Sequence, residues 1–154
     1  MKVLVINCGS SSIKYQLFET DADQVLAKGI VSRIGEEDSY VKHEAGSVKS
    51  QKKVPGLPYP RGFELIVQNL LDQIYVVDAL VFTPGMGENS PLIRTMICNG
   101  LEFLGVELDG TKNNETLATE QLISSSKSTM KVLVIPTNEE RMIALDTIAL
   151  AFSD

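Results

Sequence analysis

The stretch that decides the fold lies at the start of the chain, where residues 3–15 read VLVINCGSSSIKY. The apolar run at residues 3–6 is typical of a buried strand. Residues 7–12 are mostly small and polar, which predicts a tight turn, and apolar and polar side chains then alternate over residues 13–17. The stretch therefore predicts two strands joined as a hairpin, with glycine and serine at its tip.

The rest of the chain extends this hairpin into a mixed sheet. The predicted strands span residues 2–7, 12–18, 25–33, 77–83 and 131–135, with a further exposed hairpin at 40–44 and 48–54. Near residue 60 the apolar spacing changes from a period of two to a period of 3.6, and the last two strands alternate with helices. Because helix-separated strands favour parallel pairing and hairpins favour antiparallel pairing, we expect one α/β domain over residues 1–154.

The helices are predicted from apolar spacing and from their start signals. The first has an apolar face over residues 63–71, and a short one is expected near residues 111–122. Asn89 or Ser90 can cap a helix that has Pro91 in its first turn. Thr137 and Glu140 have the spacing of a capping box for the final helix. The inward face of this final helix is predicted to be Met142, Leu145, Ile148 and Phe152.

Composition excludes several classes of function. The net charge is −6 and no basic run exceeds Lys52–Lys53, so nucleic-acid binding is not expected. No apolar stretch is long enough for a membrane span, and the N-terminus lacks signal-peptide features. Cys8 and Cys98 stand far apart, which predicts neither a zinc site nor a disulfide and fits a cytoplasmic protein. The single histidine, His43, is predicted to face solvent within its hairpin.

Three polar segments follow predicted strands and are candidates for ligand binding: residues 7–14, 85–90 and 136–140. No Walker A pattern occurs, and Ser90 stands where a dinucleotide fingerprint needs its third glycine. Each segment also has a structural interpretation: a hairpin turn, a strand-to-helix connection and, for Glu140, helix capping. Glu139 is left without a structural task and could hold the water shell of Mg²⁺. Ligands gather at the carboxyl ends of strands in open α/β sheets, and this shared location favours the functional interpretation.

Taken together, the motifs resemble those of the acetate kinases. Residues 3–15 are similar to the opening signature of that family, residues 77–90 to its late adenine-site segment, and residues 134–140 to its C-terminal motif. The resemblance implies a ribonuclease H-like domain of the actin-like ATPase superfold. It also implies Mg²⁺-dependent transfer of the ATP γ-phosphoryl group to acetate, which gives acetyl phosphate and ADP.

The resemblance also assigns site residues. Asn7 and Glu139 match the magnesium positions, and Lys14 matches an ATP-binding position. The nucleotide-binding stretch corresponds to Gly85, Met86, Gly87, Glu88 and Asn89, although the family often has Ile where Met86 stands and usually has Ala in place of Pro84.

The chain departs from the family between two blocks, residues 1–71 and 77–154, whose junction is expected within residues 72–76. The acetate-site, phosphate-loop and catalytic motifs that the family carries between these blocks are absent, so no catalytic residue is assigned. We therefore expect a shortened acetate kinase that is inactive alone, with propionate or butyrate as alternative substrates. Two other classes stay open: a non-catalytic module that binds Mg²⁺ and ATP, and a ligand-free fragment held together by its core and by forming a homodimer.

Overall fold

The chain folds around one mixed sheet of eight strands in the order β5-β4-β3-β2-β1-β6-β8-β7. The computed structural model describes residues 1–72, 76–116 and 118–152. The strands are β1 (Lys2–Cys8), β2 (Ser12–Glu19), β3 (Gln24–Ser32), β4 (Tyr40–Ala45), β5 (Val48–Lys53), β6 (Ala79–Gly85), β7 (Gln121–Leu122) and β8 (Lys131–Val134). The helices are α1 (Tyr59–Leu71), α2 (Met86–Asn89), α3 (Pro91–Cys98), α4 (Gly110–Glu115) and α5 (Glu139–Phe152), with a short 3-10 helix at Glu102–Leu104.

The central strand β1 combines both kinds of pairing. It pairs antiparallel with β2, so that Asn7 lies opposite Lys14, and parallel with β6, so that Asn7 lies opposite Thr83. β8 pairs parallel with β6 and lies between β6 and the edge strand β7. The five predicted strands and the predicted outer hairpin are confirmed, and the central order β3-β2-β1-β6-β8 is that of a ribonuclease H-like domain. The expected junction within residues 72–76 falls mostly on residues 73–75, which lie outside the described residues.

One face of the sheet carries the hydrophobic core. Leu4 and Leu80 project from β1 and β6 toward Phe63 and Val67 of helix α1. Their side chains are almost fully buried, as alternation along each strand requires when one face is covered. Helix α3 joins α1 on this side and contributes Ile97 to the core. We call this side the covered face.

Several sequence predictions differ from the structure in the last third of the chain. The helix expected over 111–122 is shorter and ends at Glu115, and Gln121–Leu122 instead form the two-residue edge strand β7. Asp109 explains where helix α4 begins, because its carboxylate accepts hydrogen bonds from the backbone N–H groups of Thr111 and Lys112. A two-residue strand has too few side chains to show alternation, so its sequence gave no strand signal.

The final helix α5 begins as expected but does not pack as expected. The prediction that Met142, Leu145 and Ile148 point inward is wrong, since 55%, 46% and 57% of these side chains are exposed. The same prediction for Phe152 falls outside the described side chains. The capping box of Thr137 and Glu140 is also not formed. The cap is instead Asn138, whose side-chain oxygen accepts a 2.8 Å hydrogen bond from the backbone N–H of Arg141.

The prediction for His43 is wrong as well. Its side chain is 3% exposed and lies on the covered face, where its Nδ1 is 2.5 Å from the hydroxyl of Tyr15. Gly29 lies between the two in the sheet, and a Cβ at this position would come within 2.5 Å of the Tyr15 ring. The glycine therefore makes room for a buried pair of rings, which the polar sequence around His43 did not indicate.

We expect acid to destabilise the fold through His43. Burial lowers the pKa of this histidine below its ordinary value of 6.5, so the folded state resists protonation that the unfolded chain accepts. Stability is then fully present above about pH 6.5 and falls as the pH drops below that value. Because the chain has one histidine, melting temperatures between pH 7.5 and 5.5 should fall in the wild type and change less in His43→Gln. Parallel pH profiles of the two proteins would contradict this assignment.

Candidate functional site

Asn7, Lys14 and Thr83 form the centre of the candidate site. They are direct cross-strand neighbours on β1, β2 and β6. All three line one pocket of about 450 Å³ on the side of the sheet opposite the core. The Thr83 hydroxyl donates a 3.1 Å hydrogen bond to the Ile6 carbonyl, which fixes it at the carboxyl ends of β1 and β6. The structure thus brings together a magnesium candidate and the lysine candidate.

The pocket extends along the sheet from this centre. Ile30 lies opposite Lys14 on β3, and Lys42 lies opposite Ile30 on β4, so the two lysines flank one apolar side chain. Lys28 is held by Glu44 at 3.6 Å. Among the described residues, no carboxylate pairs with Lys14 or Lys42, although the Lys42 ammonium group lies 5.4 Å from the centroid of the Tyr40 ring.

The segment Gly85–Asn89 lies beside the end of β1. Gly85 has φ of 89°, and a Cβ there would lie 2.6 Å from the Cys8 carbonyl oxygen, so only glycine suits this position. A Cβ on Gly87 would come within 3.5 Å of the Cys8 sulfur. The Asn89 side-chain amide donates a 3.0 Å hydrogen bond to the Gly85 carbonyl and closes the turn. The segment borders the strand that carries Asn7, but none of its residues lines the pocket.

Arg94 fixes the backbone of this segment through hydrogen bonds, and the sequence did not predict this role. Its side chain is fully buried, and its guanidinium donates hydrogen bonds to the carbonyl oxygens of Gly87 and Glu88 at 3.0 and 2.9 Å. It also donates to the Asn113 side chain at 2.7 Å and to the carbonyls of Asn113 and Thr116 at 2.6 and 2.8 Å. All the donor groups of the guanidinium fork are thereby engaged. Burial lowers the pKa of Arg94.

Glu139, the second magnesium candidate, is not brought into the pocket. It is the first residue of α5, is exposed, and does not line the cavity that Asn7 lines. In the described ranges, no group of three or more His, Cys, Asp or Glu residues could hold a metal ion. The oxygens of Asn7 and Glu139 are hard ligands that suit Mg²⁺. Two protein ligands do not complete the coordination of Mg²⁺, so the remaining ligands would be nucleotide phosphates and water.

The sequence of the chain matches the acetokinase family over residues 2–76 and 66–145. The chain therefore belongs to the acetokinase family. It is 61% identical over 72 residues to the acetate kinase of Thermotoga maritima, a match of 46% of this chain and 18% of that protein. The acetate kinase of Treponema denticola is 60% identical over 80 residues, which are 51% of this chain and 19% of that protein. The matches thus span less than a fifth of each relative's length.

Solved structures of an acetate kinase and a propionate kinase align with the structure of this chain. The crystal structure of Porphyromonas gingivalis acetate kinase aligns with a TM-score of 0.46 and 16% identity, covering 97% of this chain and 99% of that one. A propionate kinase from Francisella tularensis aligns with a TM-score of 0.45 and 15% identity, covering 93% and 98%. No helix in the described part of the chain is long and apolar enough to cross a membrane.

We expect Arg94→Met to destabilise the protein by about 3 kcal/mol, because it leaves several buried carbonyl oxygens without donors. Arg61→Met is the matched control, since Arg61 is exposed and its ion pair among the described residues is with exposed Glu64, and it should change stability by less than about 0.5 kcal/mol. Urea unfolding of both variants measures the difference. Equal free energies of unfolding would show that the Arg94 network contributes nothing.

Proposed function

We propose that this chain is the Mg²⁺–ATP-binding part of an acetate kinase and that it does not form acetyl phosphate alone. The observation that carries the proposal is the placement of Asn7, Lys14 and Thr83 in one pocket at the carboxyl ends of β1 and β6. Ligands of open α/β sheets bind at this edge. Family membership supports a nucleotide phosphate as the ligand.

In this proposal Lys14 provides positive charge for a phosphate group, and Asn7 directs its amide oxygen toward the hydrated metal. Glu139 would add a carboxylate to the same water shell. When bound, Mg²⁺ neutralises phosphate charge and orients the phosphate chain. Gly85–Asn89, fixed by Arg94, would contact the part of the nucleotide that extends beyond the pocket.

Catalysis needs more positive charge around the transferring group than this pocket supplies. Phosphoryl transfer depends on positioning and on electrostatic stabilisation of the transition state. None of the four arginines lines the pocket as the described residues define it, and neither does His43. Arg94 is fully engaged with backbone and Asn113, Arg33 pairs with Asp38, and His43 is buried on the other face. The pocket can therefore bind a nucleotide phosphate without activating it for transfer to acetate.

Calorimetric titration with Mg²⁺ and ATP tests the binding part of the proposal. We expect heat of binding in the wild type and about tenfold weaker binding in Lys14→Ala, the loss of one charge-assisted contact. Lys127→Ala removes an exposed lysine of a distant turn and should bind as the wild type does. Absence of any binding heat would instead favour the ligand-free fragment.

A hydroxamate assay for acetyl phosphate tests the catalytic part. We expect no turnover with acetate, propionate or butyrate, because none of the described residues that line the pocket is an arginine or a histidine. Turnover of roughly 1–100 per second, as in ordinary kinases, would contradict this expectation. A full-length relative serves as the positive control.

A further inference from the structure

The side of the sheet opposite the covered face collects lysines that the sequence spreads over four strands. Lys14 on β2, Lys28 on β3, Lys42 on β4 and Lys49 on β5 share this side by strand alternation, and so does Glu44. Glu44 is the carboxylate among the described residues that line the pockets of this side. These five side chains have a net charge of +3, whereas the whole chain has a net charge of −6. We call this side the open face.

The pocket that contains Asn7 and Lys14 continues into a second pocket toward the edge strand β5. The second pocket has a volume of about 270 Å³ and is lined by Lys42, Glu44, Lys49, Ser50 and Gln51. Lys42 and Glu44 line both pockets, so the two form one trough across the strands. The described lining of the second pocket is polar or charged throughout. The trough therefore extends the proposed phosphate site at Lys14 by a polar and basic stretch.

This extension lies beyond the reach of a nucleotide bound as proposed above. Lys14 and Lys42 are two strands apart, or about 10 Å between their Cα atoms. Lys49 lies one strand further and two residues along, about 8 Å from Lys42. The nucleoside would extend past β1 toward Gly85–Asn89, on the side of β2 that faces away from Lys42. ATP held at Lys14 therefore leaves Lys42 and Lys49 without a phosphate group.

The lysines of the extension are oriented by neighbours that do not neutralise them. The cation–π contact between Lys42 and the Tyr40 ring leaves N–H donors of the ammonium group for an anion, since that group has three. Glu44 lies 3.6 Å from Lys28 and 3.8 Å from Lys49, so one carboxylate is shared by two cations. Exposed ion pairs of this kind are weak, and a phosphate group competes with Glu44 for either lysine.

We propose that the open face binds a linear phosphate chain longer than a triphosphate, with one end at Lys14 and further groups at Lys42 and Lys49. The inference rests on the proposed function, which places a phosphate group at Lys14. Such a chain carries a negative charge on every phosphate group and therefore suits a series of separate ammonium groups. Single-stranded nucleic acid fits less well, because its binding sites offer aromatic rings for base stacking, and the Tyr40 ring is occupied by Lys42.

Calorimetric titration of the full chain in the presence of Mg²⁺ tests the proposal with phosphate ligands of different length. The probes are ATP, adenosine 5′-pentaphosphate, tripolyphosphate and long-chain inorganic polyphosphate. We expect long-chain polyphosphate to bind about tenfold more tightly than tripolyphosphate. An equal gain of the pentaphosphate over ATP identifies the tail of a nucleotide as the ligand. A gain for inorganic polyphosphate alone identifies the free polymer.

Matched variants of strand β5 locate the binding. Lys49→Ala should weaken the binding of long-chain polyphosphate about fivefold and leave ATP binding unchanged. Lys52→Ala removes the same charge from the same strand, but Lys52 is exposed on the other side by alternation, so this variant should bind as the wild type does. Glu44→Gln should tighten polyphosphate binding about threefold, because it removes the carboxylate that competes with phosphate.

The outcomes separate this proposal from the proposed function. If ATP binding depends on Lys14 but polyphosphate binds no more tightly than tripolyphosphate, the proposed function stands and this proposal is wrong. Equal losses in Lys49→Ala and Lys52→Ala would overturn it in favour of attraction by net charge. Lys49-dependent binding of polyglutamate or polyuridylate as tight as that of polyphosphate would overturn it in favour of another acidic polymer. Absence of binding by every phosphate ligand would contradict both proposals.

Discussion

The pairing of β1 on both sides is the constraint on which the rest of the structure depends. The strand joins an antiparallel block, β2 to β5, to a parallel block, β6 and β8. Leu4 and Ile6 point into the covered face, and Val5 and Asn7 point to the other side. A shift of one residue in either register would send the core side chains to solvent and Asn7 into the core. The fold and the candidate site are therefore set by the same register.

The strands of the sheet could be predicted from the regular spacing of apolar side chains. The polar edge of the sheet could be predicted from the glycine and polar residues at the strand ends. The strands that could be predicted have four or more residues of alternating or uniformly apolar side chains. Asn7, Lys14 and the stretch Gly85–Asn89 could be found because they lie near the ends of such strands and match motifs of the acetate kinases. The role of each residue at this edge remains a prediction. The edge strand β7 could not be found, because two residues show no period.

The residues that sequence reasoning missed act through long-range contacts. Arg94 lies on an apolar helix face, and nothing in its neighbours indicates that its acceptors come from residues 87, 88, 113 and 116. The one available signal was its position among the core residues of α3, where an unpaired charge would be costly. His43 was misjudged for a similar reason: its partner Tyr15 is 28 residues away and meets it only across Gly29.

The two faces of the sheet differ because of the order of the elements. The crossovers from β5 to β6 through α1 and from β6 to β8 through α3 both move in one direction across the sheet, and right-handed connections then place both helices on one face. Among the described helices, α5 follows β8 and is not held on the covered face by such a crossover. The pocket with Asn7 and Lys14 opens on the opposite face. The order of the elements thus keeps α1 and α3 away from the face on which Asn7 and Lys14 lie.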